Sequence, residues 1–231
     1  METRKTRHGI RIVHGRHIVS ELLAQPGPTH SVFDVLAASV AALSPGRDLT
    51  MLGFSGGGML APLRSLGRDD RVHGVDLDLS GARIFRRLAR KWSGDVSVTR
   101  ADAVDFLRKS TRRHACIVED LSVQLANRDV QKPDVSFELM PSLIAKRLSK
   151  RGVAIFNLLP SDSRTWRDLE RGVMAPFEVA RVVQLDDFEN RVLLAGAALP
   201  DPWTIHQQLN AVLSLLGSKM AGTLHVRDRR A

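Results

Sequence analysis

Tyrosine is absent from this chain of 231 residues, cysteine occurs once, and aromatic residues make up only 5% of it. With so few flat rings, the chain has little from which to build a stacking platform for single-stranded bases. The single Cys116 excludes a disulfide framework and, lying inside an apolar run, reads as an inert core thiol in a reducing compartment. No apolar run approaches the ~18 residues of a membrane span. The first residues, METRKTRH, are basic and polar and lack the apolar segment of a secretory signal. A cytoplasmic protein without membrane attachment is expected. Also missing are a His/Cys cluster with metal-ligand spacing and a distinctive Ser-His-Asp order, so no metal is expected.

What is present is a hydrophobic content of 43% and a net charge of +9. The first supports one substantial α/β domain with a small appendage. The second invites a nucleic-acid reading, but the densest basic run interleaves Arg83, Arg86, Arg87, Arg90 and Lys91 with Ile84, Phe85, Leu88 and Trp92 at helical spacing. That pattern is the solvated face of an amphipathic helix, and a nucleic-acid partner is not expected.

The informative stretch runs from Asp48 to Asp78, DLTMLGFSGGGMLAPLRSLGRDDRVHGVDLD. Residues 49–54 read as a short buried strand that breaks into Gly53, Gly56, Gly57 and Gly58, a density suited to a tight turn that brings backbone close to a ligand. A helix with Met59, Leu60, Leu63 and Leu66 on one face follows, and then a strand over 71–75 ending on Asp76. Strand, glycine turn, helix, strand and acid, with the acid about twenty residues on, is the layout of a nucleoside-binding βαβ unit whose carboxylate accepts from ribose hydroxyls.

Around this unit, residues 1–8 read as loose, 9–23 as a β-hairpin turning at His14-Gly15, and 31–43 as a helix. Later strands are expected over 95–99 and 114–118, the first running into Asp102 and the second into Glu119-Asp120. Ligands of open α/β sheets bind at the carboxyl ends of strands, so Asp102 and Asp120 share the rim with Gly53 and Asp76. The polar stretch 121–134 reads as a loop covering a site, 135–150 as one helix, 152–158 as a strand and 162–170 as a helix. A closing hairpin (177–183 and 191–198), a helix over 203–216 and a poorly ordered segment 219–231 complete the chain. Three parts are expected: a β-hairpin arm with one helix (1–45), a nucleoside-binding domain (46–200), and a C-terminal helix with a basic tail (201–231). The arm and the apolar stripe of 205–216 offer more surface than one sheet covers, which predicts a homo-oligomer.

Five βα units followed by an antiparallel hairpin resemble the class I S-adenosylmethionine-dependent methyltransferases, with a Rossmann-like, seven-stranded, mostly parallel sheet. Within them the hairpin arm, the glycine motif, the Asp102-Ala103 turn, the ACIVED strand end and the FENRVLLAG strand resemble the spermidine synthase family in order over residues 9–200. The resemblance implies S-adenosylmethionine or its decarboxylated form as cofactor. It places Gly53, Phe54, Ser55, Gly56 and Gly57 around the nucleoside and sulfonium, Asp76 with Leu77 at the ribose, and Asp102 with Ala103 at the adenine. Asp102 also suits a helix cap. In that family an acid three residues after the first loop acid orients the attacking amine, and an acid in the glycine motif holds the donor's ammonium. Val123 and Gly56 stand at those places, and no tyrosine exists to line a polyamine channel.

The nucleoside half is thus kept and the polyamine half altered. The expected activity is methyl transfer to a small-molecule nucleophile, with Asp120 as base, Glu119 beside it, and His30 or His17 closing from the arm. Asp129 and Asp134 are further loop acids that can compensate for the missing ones. Two alternatives stand beside it: aminopropyl transfer, and a non-catalytic nucleoside- or partner-binding protein of the same fold.

Overall fold

The computed structural model describes residues 2–15, 17–124 and 130–228. The arm is a three-stranded antiparallel sheet of β1 (Glu2–Lys5), β2 (Gly9–His14) and β3 (His17–Leu23). Residues 2–5, expected to be loose, pair with β2 in the register Thr3↔Ile12 and Arg4↔Arg11. Their exposed, charged side chains suit an edge strand that must not recruit another chain. Helix α1 (Val32–Leu43) is capped by Ser31 and nearly buried along its first three turns. Its entry is tied down by buried Asp34, which accepts from Thr29 N at 2.8 Å, His30 N at 2.9 Å and Ser218 Oγ at 2.5 Å.

The alternation of strand and helix continues through β4 (Asp48–Leu52), α2 (Leu60–Ser65), β5 (Arg71–Asp76), α3 (Ser80–Leu88), β6 (Val96–Arg100), α4 (Ala103–Lys109) and β7 (His114–Glu119). A two-stranded ribbon, β8 (Val123–Gln124) with β9 (Val130–Gln131), occupies part of the expected loop. Then come α5 (Val135–Glu138), α6 (Met140–Arg147), β10 (Leu148–Leu158), α7 (Trp166–Met174), β11 (Val179–Leu185), β12 (Arg191–Gly196), α8 (Pro202–Leu216) and β13 (Leu224–Asp228).

The main sheet has the order β13-β11-β12-β10-β7-β4-β5-β6. Strands β6, β5, β4, β7 and β10 are parallel, and β12, β11 and β13 add on antiparallel. From β4 the chain first builds outward to β5 and β6, then crosses to β7 and β10 on the other side. The order therefore reverses between β4 and β7, which opens a crevice at their carboxyl ends. One face buries Leu36, Leu63, Phe85 and Leu213 from α1, α2, α3 and α8; the other buries Leu107, Ile144, Leu169 and Val173 from α4, α6 and α7.

Three departures from the expected elements have local causes. The sheet has eight strands rather than seven, because Leu224 is fully buried opposite Leu185 and Arg181 meets Asp228 at 2.8 Å, turning part of the expected tail into an edge strand. The single helix expected over 135–150 breaks at Leu139 (φ −112°), just before Pro141 in the first turn of α6, where a missing N–H costs nothing. The helix expected over 162–170 starts instead at Trp166, where the Thr165 hydroxyl accepts from Asp168 N at 3.3 Å. Among the described residues no helix is long and apolar enough to cross a membrane.

Candidate functional site

The glycine turn after β4 is shaped by two positions. Gly53 has φ +82°, and a Cβ there would lie 2.5 Å from the Asp120 carbonyl oxygen, so the turn passes directly against the end of β7. Ser55 adopts the left-handed region at φ +46°, a strained conformation for a residue with a side chain. Its backbone N–H donates to Asp76 Oδ2 at 2.6 Å, and Asp78 N–H donates to Asp76 Oδ1 at 3.0 Å. The acid of β5 thus holds the glycine turn in place, and each oxygen retains a lone pair for a ligand. Asp78 in turn accepts from Ser80 Oγ at 2.7 Å and Ser80 N at 2.9 Å, bonds that depress its pKa.

A cavity of about 370 Å³ opens beside this turn. Of the residues expected around a nucleoside, Gly53, Ser55, Asp76, Leu77, Asp102 and Ala103 line it. Phe54, Gly56 and Gly57 do not. Phe54 is buried edge-on against Phe85 at 5.5 Å, and Gly57 packs on the Phe54 ring. Gly56 lies beneath the arm, where a Cβ would come within 2.5 Å of Leu22 Cδ1 and 2.8 Å of Ile12 Cδ1. Asp102 caps α4: its Oδ1 accepts from Val104 N at 2.8 Å and Asp105 N at 3.1 Å, so the capping role applies whatever else the residue does.

The two acids that end β7 face different surroundings. Glu119 is fully buried and bound by Lys132 Nζ at 2.8 Å, Ser136 Oγ at 2.8 Å and Leu121 N at 3.2 Å. It lines neither this cavity nor its neighbour, so its expected place beside the reacting groups is corrected to an anchor for the 121–136 segment. Asp120 lines both this cavity and a second one of about 400 Å³, which among the described residues share Val19, Asp120 and Ser122. Asn157 Nδ2 donates to Asp120 Oδ1 at 2.7 Å, and Asn190 Nδ2 donates to Asn157 Oδ1 at 2.8 Å. Loss of hydration pushes the Asp120 carboxyl up to about 6, against the opposing pull of Lys132 and of the Asn157 hydrogen bond.

The second cavity is walled by His17 and Phe33 from the arm side and by Asn157, Leu159, Phe188 and Asn190 from the far half of the sheet. His30, expected to close over the site, lines neither cavity. It is held at φ +57° beside Asp34, and its Nδ1 accepts from Lys219 N at 3.3 Å. Asp134 is paired with Arg164 at 3.0 Å, and Asp129 lies outside the described residues. The sequence reading missed Ile12, His14 and Val19, which bring the arm over the first cavity, and the Asn157–Asn190 pair. Asn157 had a signal: it stands near the carboxyl end of a buried strand, on the same rim as Asp120.

No protein-family model matches the sequence, and no curated protein matches it. Solved structures do. Human methyltransferase-like protein 13 in complex with SAH aligns with a TM-score of 0.61 at 18% identity, over 82% of this chain and 92% of that one. Spermidine synthase from Thermotoga maritima aligns at 0.60 and 13%, over 82% and 75%. The O-methyltransferase TomG from Streptomyces achromogenes, in complex with SAM, aligns at 0.52 and 15%, over 71% and 79%. The chain has the class I methyltransferase fold. In that fold the two cavities meet at the crevice beside β4 and β7, with Asp120 between them.

Proposed function

We propose that the protein is an S-adenosylmethionine-dependent transferase that moves a methyl group to a nucleophile on a small molecule. The observation that carries the reading is Asp120, a half-buried carboxylate at the junction of two cavities, one of which is walled by the glycine turn and Asp76. The first cavity fits an adenosyl ligand: Asp76 offers a free lone pair on each oxygen to ribose hydroxyls, Asp102 Oδ2 is left for an exocyclic amine, and Val75, Leu77, Val104 and Met140 supply apolar walls for a purine.

The donor's sulfonium supplies an already activated methyl group, so the chain's task is alignment and removal of a proton. Asp120 accepts the proton of the attacking O–H or N–H as the new bond to the methyl carbon forms and the carbon–sulfur bond breaks. Asn157 holds Oδ1 and leaves Oδ2 to the acceptor. Aminopropyl transfer is disfavoured by Gly56, where Leu22, Ile12 and the Ser20 hydroxyl would lie within 3.0 Å of a Cβ and leave no room for an acid that would hold an ammonium. Incubation of the protein with S-adenosylmethionine and a panel of small alcohols, phenols, acids and amines should yield a methylated product. Turnover only with decarboxylated S-adenosylmethionine and putrescine would reverse the assignment.

A further inference from the structure

A third concavity lies toward the amino ends of β4, β5 and β6, under α4. A sheet face covered by a helix is ordinarily apolar. Here Thr50, His73 and Ser97 stand in one register row across three adjacent strands, with Asp48 opposite Arg71 in the row below. A cavity of about 600 Å³ opens over these rows, roofed by Phe106 of α4 and the turn before β7. It is larger than the cavity at Asp76.

Its chemistry is rich in donors. His73 meets Ser97 Oγ at 3.1 Å and Thr99 Oγ1 at 3.4 Å, and its ring stacks on Phe106 at 5.4 Å. His114 meets Thr50 Oγ1 at 2.8 Å and Ser110 Oγ at 3.5 Å. All four imidazole nitrogens face hydroxyls, which donate or accept as required, so the network accommodates either charge state. Arg71 is held by Asp48 at 2.7 Å, and Arg113 Nη1 donates to the Lys146 carbonyl. Lys109 and Arg112 also line the cavity, are exposed, and have no carboxylate within ion-pairing distance among the described residues. Burial depresses both imidazoles, and the charge of Arg112 depresses them further.

We propose that this cavity is a second ligand site, which binds the phosphate group of a small phosphorylated molecule between Lys109, Arg112 and the His73–His114 pair. A tetrahedral dianion offers acceptors in every direction, to the exposed cations Lys109 and Arg112 and to hydroxyl and imidazole donors that now bond one another and can turn toward it. A single carboxylate would leave most of those donors unmatched. The volume beyond one phosphate accommodates the rest of an ester, and the Phe106–His73 stack gives it an apolar wall. The site is separate from Asp76 and Asp120 and does not depend on the proposed methyl transfer.

The test is a titration of the intact protein with inorganic phosphate, and then with phenyl phosphate, followed by the histidine ring signals in NMR. Saturable shifts at His73 and His114 are expected, with both imidazoles titrating at higher pH when phosphate is bound. In the free protein Asp48 opposes the depression of the His114 pKa, while Arg112, His73 and Arg147 lower it and Arg112 lowers that of His73; Asp105, Arg71, Lys109 and Arg113 are the other charged groups that line the cavity. A Lys109→Gln/Arg112→Gln double variant, changed only at exposed positions, should keep its fold and bind at least tenfold more weakly. Shifts that sodium chloride reproduces at matched ionic strength, or undiminished binding by the double variant, would overturn the proposal.

Discussion

The proposed nucleoside half of the site and the proposed acceptor half are built by different means. In the first, the glycine turn and its acid, Gly53, Ser55, Asp76 and Asp78, come from one continuous stretch, tied by the hydrogen bond from Ser55 N–H to Asp76 across 21 residues. In the second, His17, Phe33, Asp120, Asn157 and Asn190 come from five separate segments, joined only by the folded sheet. A local unit leaves its pattern in the sequence. A site gathered from distant strand ends leaves single residues that look like any other loop residue.

The comparison breaks most sharply at Asp120. Asp120→Asn should lower the methyl-transfer rate by about 10² to 10⁴ while leaving S-adenosylmethionine affinity within about threefold of wild type, a loss of under ~0.7 kcal/mol. Steady-state kinetics alongside calorimetry checks this. The two halves are not separable if affinity falls with the rate.

Next in size is the buried ion pair behind that half. Lys132→Met leaves Glu119 charged and unpaired in the core and should destabilise the protein by about 3–5 kcal/mol in urea unfolding. Adding Glu119→Gln should recover most of the loss. A double variant as unstable as the single one would mean that the packing of 121–136, rather than the charge pair, holds the segment.

The raised pKa of Asp120 sharpens the contrast further. A carboxyl that titrates at about 6 when folded, above its unfolded value, binds its proton more tightly in the folded state. It therefore makes stability decline as pH rises through roughly 4 to 6, and at pH 7 Asp120→Asn should be more stable than wild type by roughly 1–3 kcal/mol. Activity has the opposite sign, since the base works only when ionised: kcat/KM should rise with pH through about 6. Thermal melts and a pH–rate profile test the two signs separately.

The smallest expected effect belongs to Asn190. Asn190→Ala frees the Asn157 amide to turn, which weakens the hydrogen bond that lowers the Asp120 pKa. The acid limb of the rate profile should move upward by about one pH unit or less. A limb that does not move assigns Asn190 to packing alone.

The fold was legible where one rule dominates. The βαβ unit, the arm hairpin and the parallel strands follow from hydrophobic period and glycine turns. The break at Leu139 was not legible because 135–150 keeps a helical pattern through a proline that only the start of a new helix tolerates. Strand β13 was hidden because a short alternating run next to a basic terminus acquires meaning only once β11 offers an edge. In the site, Glu119 and Asp120 look equivalent as neighbours in sequence, yet strand alternation sends one into the core toward Lys132 and the other to the rim. His30 reads as an arm residue free to move until Asp34 and Lys219 are seen to hold it. The polar row Thr50–His73–Ser97 is likewise invisible without the register of three strands.

The most direct test of the account is calorimetry of S-adenosylmethionine binding to wild type and to Asp76→Ala. One site per chain is expected, with affinity reduced about tenfold to a hundredfold in the variant, corresponding to roughly 1–3 kcal/mol for a lost charge-assisted acceptor. A wild-type protein that binds neither S-adenosylmethionine nor its thioether product at millimolar concentration, or a variant that binds as tightly as wild type, would contradict the central claim.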